Sequence, residues 1–459
     1  MDAIRAKAKF DSLKSEYNMK FEVKDEQIEV ALTVVNGRNV LGLLPTGYGK
    51  TLCIVLPTIL SDESMITLVV SPLTCLIDDQ ISSLRGFNLT CTKIGSDMDK
   101  DDILGIKEGK FSFVFSSPES ALMPQWRSVF MTDVWQKKLK LIAIDEAHCV
   151  SEWGESFRKE YQRLFELRSF FDVPVMALTA TSTKEVKADI FKYLQLSDEC
   201  TDIVFKSPDR ANIYIQFYKR VTSDYDESLK WLIDHLRLRG IASKKVIVYC
   251  RSIDRVSEIF CTLKDCLGVK AYIDGIKDPN NILVEMFHKS THQDSKDRIL
   301  KEFKLKESRI RCVIATVALG MGLDIRDVDL VVHIGCPKSV LSYWQEAGRC
   351  ARDGRQGLSL IIYDMFTVSL KNTAKDIAKV VQNKDNTCIR TQVLSLLSDQ
   401  KTGASMSEGD TCSGCDLEHC DCSFCRCCSV CIEKCPCQKR CLFNVQTFLK
   451  QERHCEDDK

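Results

Sequence analysis

The sequence predicts an α/β protein: two tandem units, each a parallel sheet with helices between its strands, then a small helical, cysteine-rich subdomain. Three observations predict it. Short apolar runs of strand length recur with helical segments between them; the rhythm breaks near SPDRAN (207–212) and restarts; and composition shifts abruptly at Cys412 into CSGCDLEHCDCSFCRCCSVCIEKCPCQKRC. At 459 residues there is room for roughly three domains. The expected boundaries are 1–206, 207–365 and 366–445.

In the first unit the runs VLGLL (40–44), MITLVV (65–70), FSFVF (111–115), LKLIAI (139–144) and VPVMAL (173–178) read as buried strands, since a parallel strand covered on both faces is continuously apolar. The second unit supplies KKVIVYC (244–250), VKAYI (269–273), RIRCVIATV (309–317), VDLVVHIG (328–335) and LSLIIYD (358–364). Residues 274–296 are polar and poorly patterned, which predicts an irregular insertion. After about residue 366 the strands stop and helical patterning follows.

The 64 basic and 64 acidic side chains cancel, so a nucleic-acid groove must come from local clustering. The charged start, MDAIRAKAKFDSLKSEY, and the lack of any run of about eighteen apolar residues speak against export and membrane spanning. The expected location is the nucleus in a eukaryote and otherwise the cytoplasm. Of the 24 cysteines, 11 fall in the first 387 residues and 13 in the last 72. Cys53, Cys250 and Cys312 lie in apolar runs and read as small core hydrophobes of a reducing compartment.

PTGYGKT (45–51) follows the strand VLGLL and opens the apolar helix TLCIVLPTIL, the context of a phosphate-binding loop. Thr46, Gly47 and Gly49 let backbone N–H groups turn toward phosphates at the helix N-terminus, Lys50 adds charge for the β and γ phosphates, and Thr51 offers a hydroxyl to Mg²⁺. Leu44 stands where the generic pattern has a small residue. DEAH (145–148) closes LKLIAI, 95 residues after Lys50. Asp145 is expected to hold the Mg²⁺ of ATP, directly or through water, and Glu146 to orient and deprotonate the attacking water. In QEAGRCARDG (345–354), Gln345, Arg349 and Arg352 are candidate catalytic groups; the arginines, three apart, are expected on one helical face as fingers that reach a γ-phosphate when the lobes close.

With VVSPLTCLIDDQ (69–80), SSPES (116–120), LTAT (178–181), VIVYCRS (246–252) and IATVALGMGLD (314–324), these motifs resemble the superfamily-two helicases and, more narrowly, the RecQ family of DNA helicases over roughly residues 20–420. The narrower resemblance rests on CVSEWGESFRKEYQRL (149–164), similar to the family's aromatic-rich loop, which contacts single-stranded DNA and couples it to hydrolysis. It implies DNA-coupling roles for His148, Trp153, Phe157 and Arg158, the aromatics offering stacking faces and the arginine a phosphate contact; Trp153 and Phe157, four apart, are equally spaced to pack one helical turn. It also makes Thr179 and Thr181 sensors of nucleotide state, and Gln27 an adenine reader, although VKDEQ departs from the family's FRPGQ. Glu152, Glu155 and Ser156 stand where the family has Gln, His and Asp, and Ala351 where it has Gly. Carboxylates beside a DNA strand repel phosphate, so these departures bear on unwinding more than on hydrolysis.

For the tail the resemblance implies a helical zinc-binding subdomain with one structural Zn²⁺ held by Cys388, Cys412, Cys415 and Cys420, a closed tetrahedral Cys₄ site. Four residues separate Cys415 from Cys420, so His419 or Cys422 are alternatives to Cys420. The further cysteines of 422–441 fit either a second metal site or a low-complexity tail. The whole implies two RecA-like lobes and an ATP-dependent DNA helicase, 3′ to 5′ by the resemblance, that couples hydrolysis to translocation and unwinding in replication, recombination or repair. Its partner is DNA at a junction of single-stranded tail and duplex. The rival readings are an RNA-dependent or non-unwinding translocase and, from another class, a nucleotide-switched DNA-binding scaffold.

Overall fold

The computed structural model describes residues 1–72, 74–96, 98–151, 159–222, 224–320, 325–371, 373–397, 426–434 and 444–451. The chain divides into two compact units, Met1–Pro208 and Asp209–Lys459. The first is built on seven parallel strands: β1 Asn39–Leu43, β2 Ile66–Val70, β3 Cys91–Ile94, β4 Phe113–Ser116, β5 Leu139–Ile144, β6 Val175–Thr179 and β7 Thr201–Phe205. Their spatial order is β3-β4-β2-β5-β6-β1-β7. In register, Val70 faces Ile144, and Leu43 faces Thr179, so the C-terminal ends of β2, β5, β6 and β1 align. Helices Asp25–Val35 and Lys50–Leu60 contribute Ile28, Val30, Cys53 and Leu56 to a core with Val40, Val69, Leu141 and Met176.

The second unit holds six parallel strands, β8 Ile213–Lys219, β9 Val246–Cys250, β10 Val284–Phe287, β11 Cys312–Ala315, β12 Leu330–Ile334 and β13 Gly357–Tyr363, in the order β10-β11-β9-β12-β13-β8. Two expectations are corrected here. VKAYI is not a strand: short 3₁₀ turns at Gly268–Ala271 and Ile273–Gly275 occupy it, joined to Ile282 only by an isolated bridge at Tyr272. Gly268 at φ +56° ends the preceding helix and leaves no run of extended residues. The supposed insertion in turn contains β10, whose Glu285 side chain is buried against Arg298. A charge inside a short strand hides its pattern.

After β13 the described residues are helical, at Met365–Val368, Lys375–Gln382, Ile389–Leu397, Ser429–Lys434 and Val445–Lys450. The last two pack on the second sheet. Val445, Phe448 and Leu449 join the core formed by Val246, Leu330 and Leu358, and Ile215 of β8 bridges Cys428 in parallel, its N–H donating to the Cys427 carbonyl at 3.2 Å. Buried Arg390 fastens the same seam: it pairs with Asp209 at 2.6 Å and donates to the carbonyls of Arg210, at 2.8 Å, and Ile213. No helix among the described residues is long and apolar enough to cross a membrane.

Candidate active site

Three neighbouring strands, β5, β6 and β1, end side by side, and the loops that leave them carry DEAH, LTAT and PTGYGKT. That is the crevice where open parallel sheets bind ligands. Leu44 continues β1 into the core, fully buried, with its N–H on the Thr179 carbonyl at 2.9 Å, so the position takes an apolar residue. The chain then turns through Gly47 (φ +80°) and Gly49 (φ +89°). Gly49 is doubly required, since a Cβ there would lie 2.6 Å from Gln27 Nε2. Lys50 and Thr51 open the helix Lys50–Leu60, whose first amides have no partner within the helix.

Gln27, expected at the adenine, is only 3% exposed and its amide is engaged by this loop. Nε2 donates to the carbonyls of Tyr48 (2.8 Å) and Gly49 (3.3 Å), while Oε1 accepts from Lys24 N–H at 2.8 Å. Tyr48 is anchored at its other end, its hydroxyl donating to Glu26 and its ring lying 4.0 Å below Lys24 Nζ. Lys206 pairs with Glu26 at 2.7 Å. Burial raises the Glu26 carboxyl, but Lys206 and the Tyr48 hydroxyl outweigh it and hold the group down to about 2.

At the end of β5, Asp145 is 5% exposed. Its Oδ1 accepts from the Glu146 N–H and its Oδ2 from Gln80 Nε2, both at 2.9 Å, and the Tyr161 hydroxyl donates to its carbonyl at 3.2 Å. Burial and the neighbouring Glu146 charge push its carboxyl above the ordinary range. Glu146 adopts a left-handed backbone, φ 49° and ψ 47°, a conformation that costs a non-glycine residue about 1–3 kcal/mol and concentrates at functional sites. Its carboxylate lies 3.8 Å from Lys50 Nζ and 3.3 Å from His148 Nδ1. His148 Nδ1 is also 3.0 Å from Thr179 Oγ1, which donates to the Thr181 carbonyl at 3.1 Å. A continuous polar chain therefore links Lys50, Glu146, His148, Thr179 and Thr181. The donors suit a hard divalent cation: the Asp145 carboxylate, held by Gln80 Nε2, and the Thr51 hydroxyl.

In the second unit, Gln345 lies on the helix Val340–Ala347, next to Glu346, whose carboxylate is 2.8 Å from His333 Nε2. The helix ends at Gly348, so Arg349 and Arg352 do not share a helical face as expected. The chain turns there, with i−3 bonds from the Arg349 and Cys350 N–H groups (3.2 and 3.0 Å) and Ala351 at φ +46°. Arg210 braces the turn through the Gly348 and Ala351 carbonyls, at 3.2 and 2.7 Å. The left-handed backbone at Ala351 is the physical reason glycine suits the position. Of the expected DNA-coupling residues, Trp153, Phe157 and Arg158 lie outside the described residues, as do Glu152, Glu155 and Ser156.

Cys388 begins a cluster with Cys427, Cys428 and Cys431, whose sulfurs all lie within 4.8 Å of one another, the Cys388–Cys427 pair at 3.5 Å. A tetrahedral ion with metal–sulfur bonds of about 2.3 Å needs sulfurs roughly 3.8 Å apart, so the cluster is sized for one. Cys412, Cys415 and Cys420, the other expected ligands, lie outside the described residues. The thiols gathered at Cys388 come from further along the chain than expected.

Residues 24–189 match the family model of the DEAD/DEAH box helicases, and residues 227–354 that of the helicase conserved C-terminal domain. Relatives include the ATP-dependent helicase wrn-1 of Caenorhabditis elegans, 31% identical over 369 residues, 78% of this chain and 33% of the relative. The RecQ-like DNA helicase BLM of Xenopus laevis is 33% identical over 359 residues, 75% of this chain and 24% of the relative. The chain belongs to the RecQ-like branch of the DEAD/DEAH box helicases. It spans a third or less of the length of these relatives. Among solved structures, the helicase MrfA bound to DNA superposes with a TM-score of 0.62 at 21% identity, covering 82% of this chain and 52% of that one. Mycobacterium smegmatis helicase Lhr bound to single-stranded DNA and AMP-PNP gives 0.58 at 20%, covering 78% and 47%. These two share the fold.

Within this helicase fold, sequence reasoning missed Gln80, Tyr161 and the Glu26–Tyr48–Lys206 cluster. Gln80 ends the quoted stretch 69–80 but carries no chemical label until β2 and β5 are paired. Tyr48 was readable as the bulky member of PTGYGKT.

Proposed function

We propose that this chain is the ATP-hydrolysing motor of a DNA helicase acting in repair or recombination. The observation that carries the reading is the convergence of Lys50, Asp145, Glu146 and Thr179 at the ends of three adjacent strands. Thr46, Gly47 and Gly49 present backbone amides to the phosphates, Lys50 exchanges Glu146 for the β and γ phosphates, and Thr51 and Asp145 hold Mg²⁺, which neutralises charge on the transferring phosphoryl group. Gln27 fixes the loop from behind. Glu146 orients the attacking water and takes its proton. The His148–Thr179–Thr181 chain couples that event to the DNA-contacting loop of Trp153, Phe157 and Arg158, and Gln345, Arg349 and Arg352 are the second unit's catalytic groups, the arginines its candidate fingers. DNA as the track follows from the relatives, named DNA helicases at about a third identity. Movement is 3′ to 5′ as the family resemblance implies, and the expected location is the nucleus in a eukaryote and otherwise the cytoplasm.

A structural Zn²⁺ in the Cys388, Cys427, Cys428 and Cys431 cluster fastens the C-terminal helices to β8. Cysteines between 412 and 441 outside that group are the pool for a second site. The deciding experiment compares phosphate release stimulated by single-stranded DNA, duplex DNA and RNA. Strongest stimulation by single-stranded DNA, abolished in Lys50→Ala, supports the reading. Strongest stimulation by RNA moves the track to RNA, and nucleotide-dependent DNA binding without turnover makes the chain a switched scaffold.

A further inference from the structure

Gln80 lies on the helix Thr74–Gly86 that follows β2, and the pairing of β2 with β5 brings that helix against the end of β5. Its amide nitrogen is 2.9 Å from Asp145 Oδ2, while the Glu146 N–H is 2.9 Å from Oδ1. One hydrogen bond on each oxygen fixes the carboxylate plane and leaves each oxygen a second lone pair. The orientation of the Gln80 amide is dictated by chemistry, because turning it over would set its oxygen against a carboxylate oxygen. The amide oxygen is thereby left on the far side, with no donor among the described residues. What belongs beside a nucleotide-site carboxylate is a divalent cation.

We propose that Gln80 is a positioning residue for the nucleotide's divalent cation, its Nε2 holding the Asp145 carboxylate in the plane that turns the remaining lone pairs toward the ion. The inference rests on the reading of the site as an ATP site. The conformation of the metal carboxylate, and so the affinity of the site for Mg²⁺, depends on a side chain from the neighbouring strand's helix. This second support of the metal shell is reached through helix Thr74–Gly86 and is independent of the phosphate loop.

The test is equilibrium binding of a fluorescent ATP derivative to the full chain, in EDTA and across a Mg²⁺ titration, for wild type, Gln80→Met and Gln80→Asn. Met keeps length and helix propensity without hydrogen bonds; Asn keeps the amide but cannot reach. The expected result is unchanged binding in EDTA, with the Mg²⁺ needed for half-maximal enhancement raised roughly tenfold or more, the worth of a hydrogen bond to a charged group. An unchanged Mg²⁺ requirement in a folded variant overturns the proposal. So does equal weakening with and without Mg²⁺, which marks a packing role. Wild type that binds the probe without any Mg²⁺ enhancement overturns the ATP-site reading itself, and that outcome is separable because it needs no variant.

Discussion

Replacing Glu146 by Gln removes one charge and no volume, and the left-handed backbone at this residue, φ 49°, is as accessible to Gln as to Glu. Two consequences oppose each other. Lys50 Nζ loses a carboxylate at 3.8 Å, with both groups less than a quarter exposed (14% and 24%); at an effective dielectric near 20 this attraction is about 4 kcal/mol gross. Asp145 loses a like-charged neighbour, one of the two causes, after burial, that push its carboxyl up. The fold is therefore retained. ATP binding is retained or tightened, because Lys50 no longer has to leave Glu146 to reach phosphate. Turnover falls, because the water loses its base: about 10²–10⁴-fold, or roughly 3–5 kcal/mol of barrier. Phosphate release at saturating ATP and equilibrium ATP binding, measured side by side, separate the two. If affinity falls by the same factor as turnover, Glu146 serves as a structural partner of Lys50 and the assignment of the base is wrong.

Three further outcomes follow from other parts of the molecule. Cys431→Ser is expected to release one bound zinc per chain, read by metal analysis, and to lower the unfolding temperature; chelation of wild type should do the same, and a metal-free wild type sinks the assignment. Arg390→Met removes the buried guanidinium that pairs with Asp209 and holds the Arg210 and Ile213 carbonyls, and should cost about 3–5 kcal/mol in urea denaturation, whereas a surface-like loss under 1 kcal/mol contradicts the seam described here. The Glu26 carboxyl is held down to about 2, below its ordinary 4.5, so its contribution is present above pH 4.5 and fades as pH falls toward 2. The stability gap between wild type and Glu26→Gln should narrow across that window; a gap that stays constant with pH removes the Lys206–Glu26–Tyr48 linkage.

The strands legible in the sequence are the nine interior ones, and the four that escaped, β3, β7, β8 and β10, are the edges of the two sheets. Edge strands are covered on fewer sides, so Thr92 and Lys93, Asp202, Gln216 and Glu285 interrupt their apolar runs. VKAYI fails in the opposite direction, being apolar enough for a strand yet broken by helix-terminating Gly268. At the site, motifs carried by a loop with a fixed backbone, such as PTGYGKT and DEAH, were legible because their spacing is local. Gln80 was not, since its chemistry arises from the pairing of β2 with β5 across 65 residues of chain. The arginine pair was assigned to a helical face because spacing by three ignores the turn that Gly348 and Ala351 impose. The thiols around Cys388 likewise come from a fold of the tail against β8 that cysteine spacing alone does not choose.

The central claim is that hydrolysis at PTGYGKT and DEAH drives this chain along DNA. Strand displacement on matched duplexes carrying a 3′ or a 5′ single-stranded tail, with ATP and with a non-hydrolysable analogue, tests it most directly. The account predicts ATP-dependent displacement from the 3′-tailed duplex that vanishes in Glu146→Gln. Displacement that proceeds equally with the analogue, or absence of any DNA-stimulated hydrolysis, contradicts it.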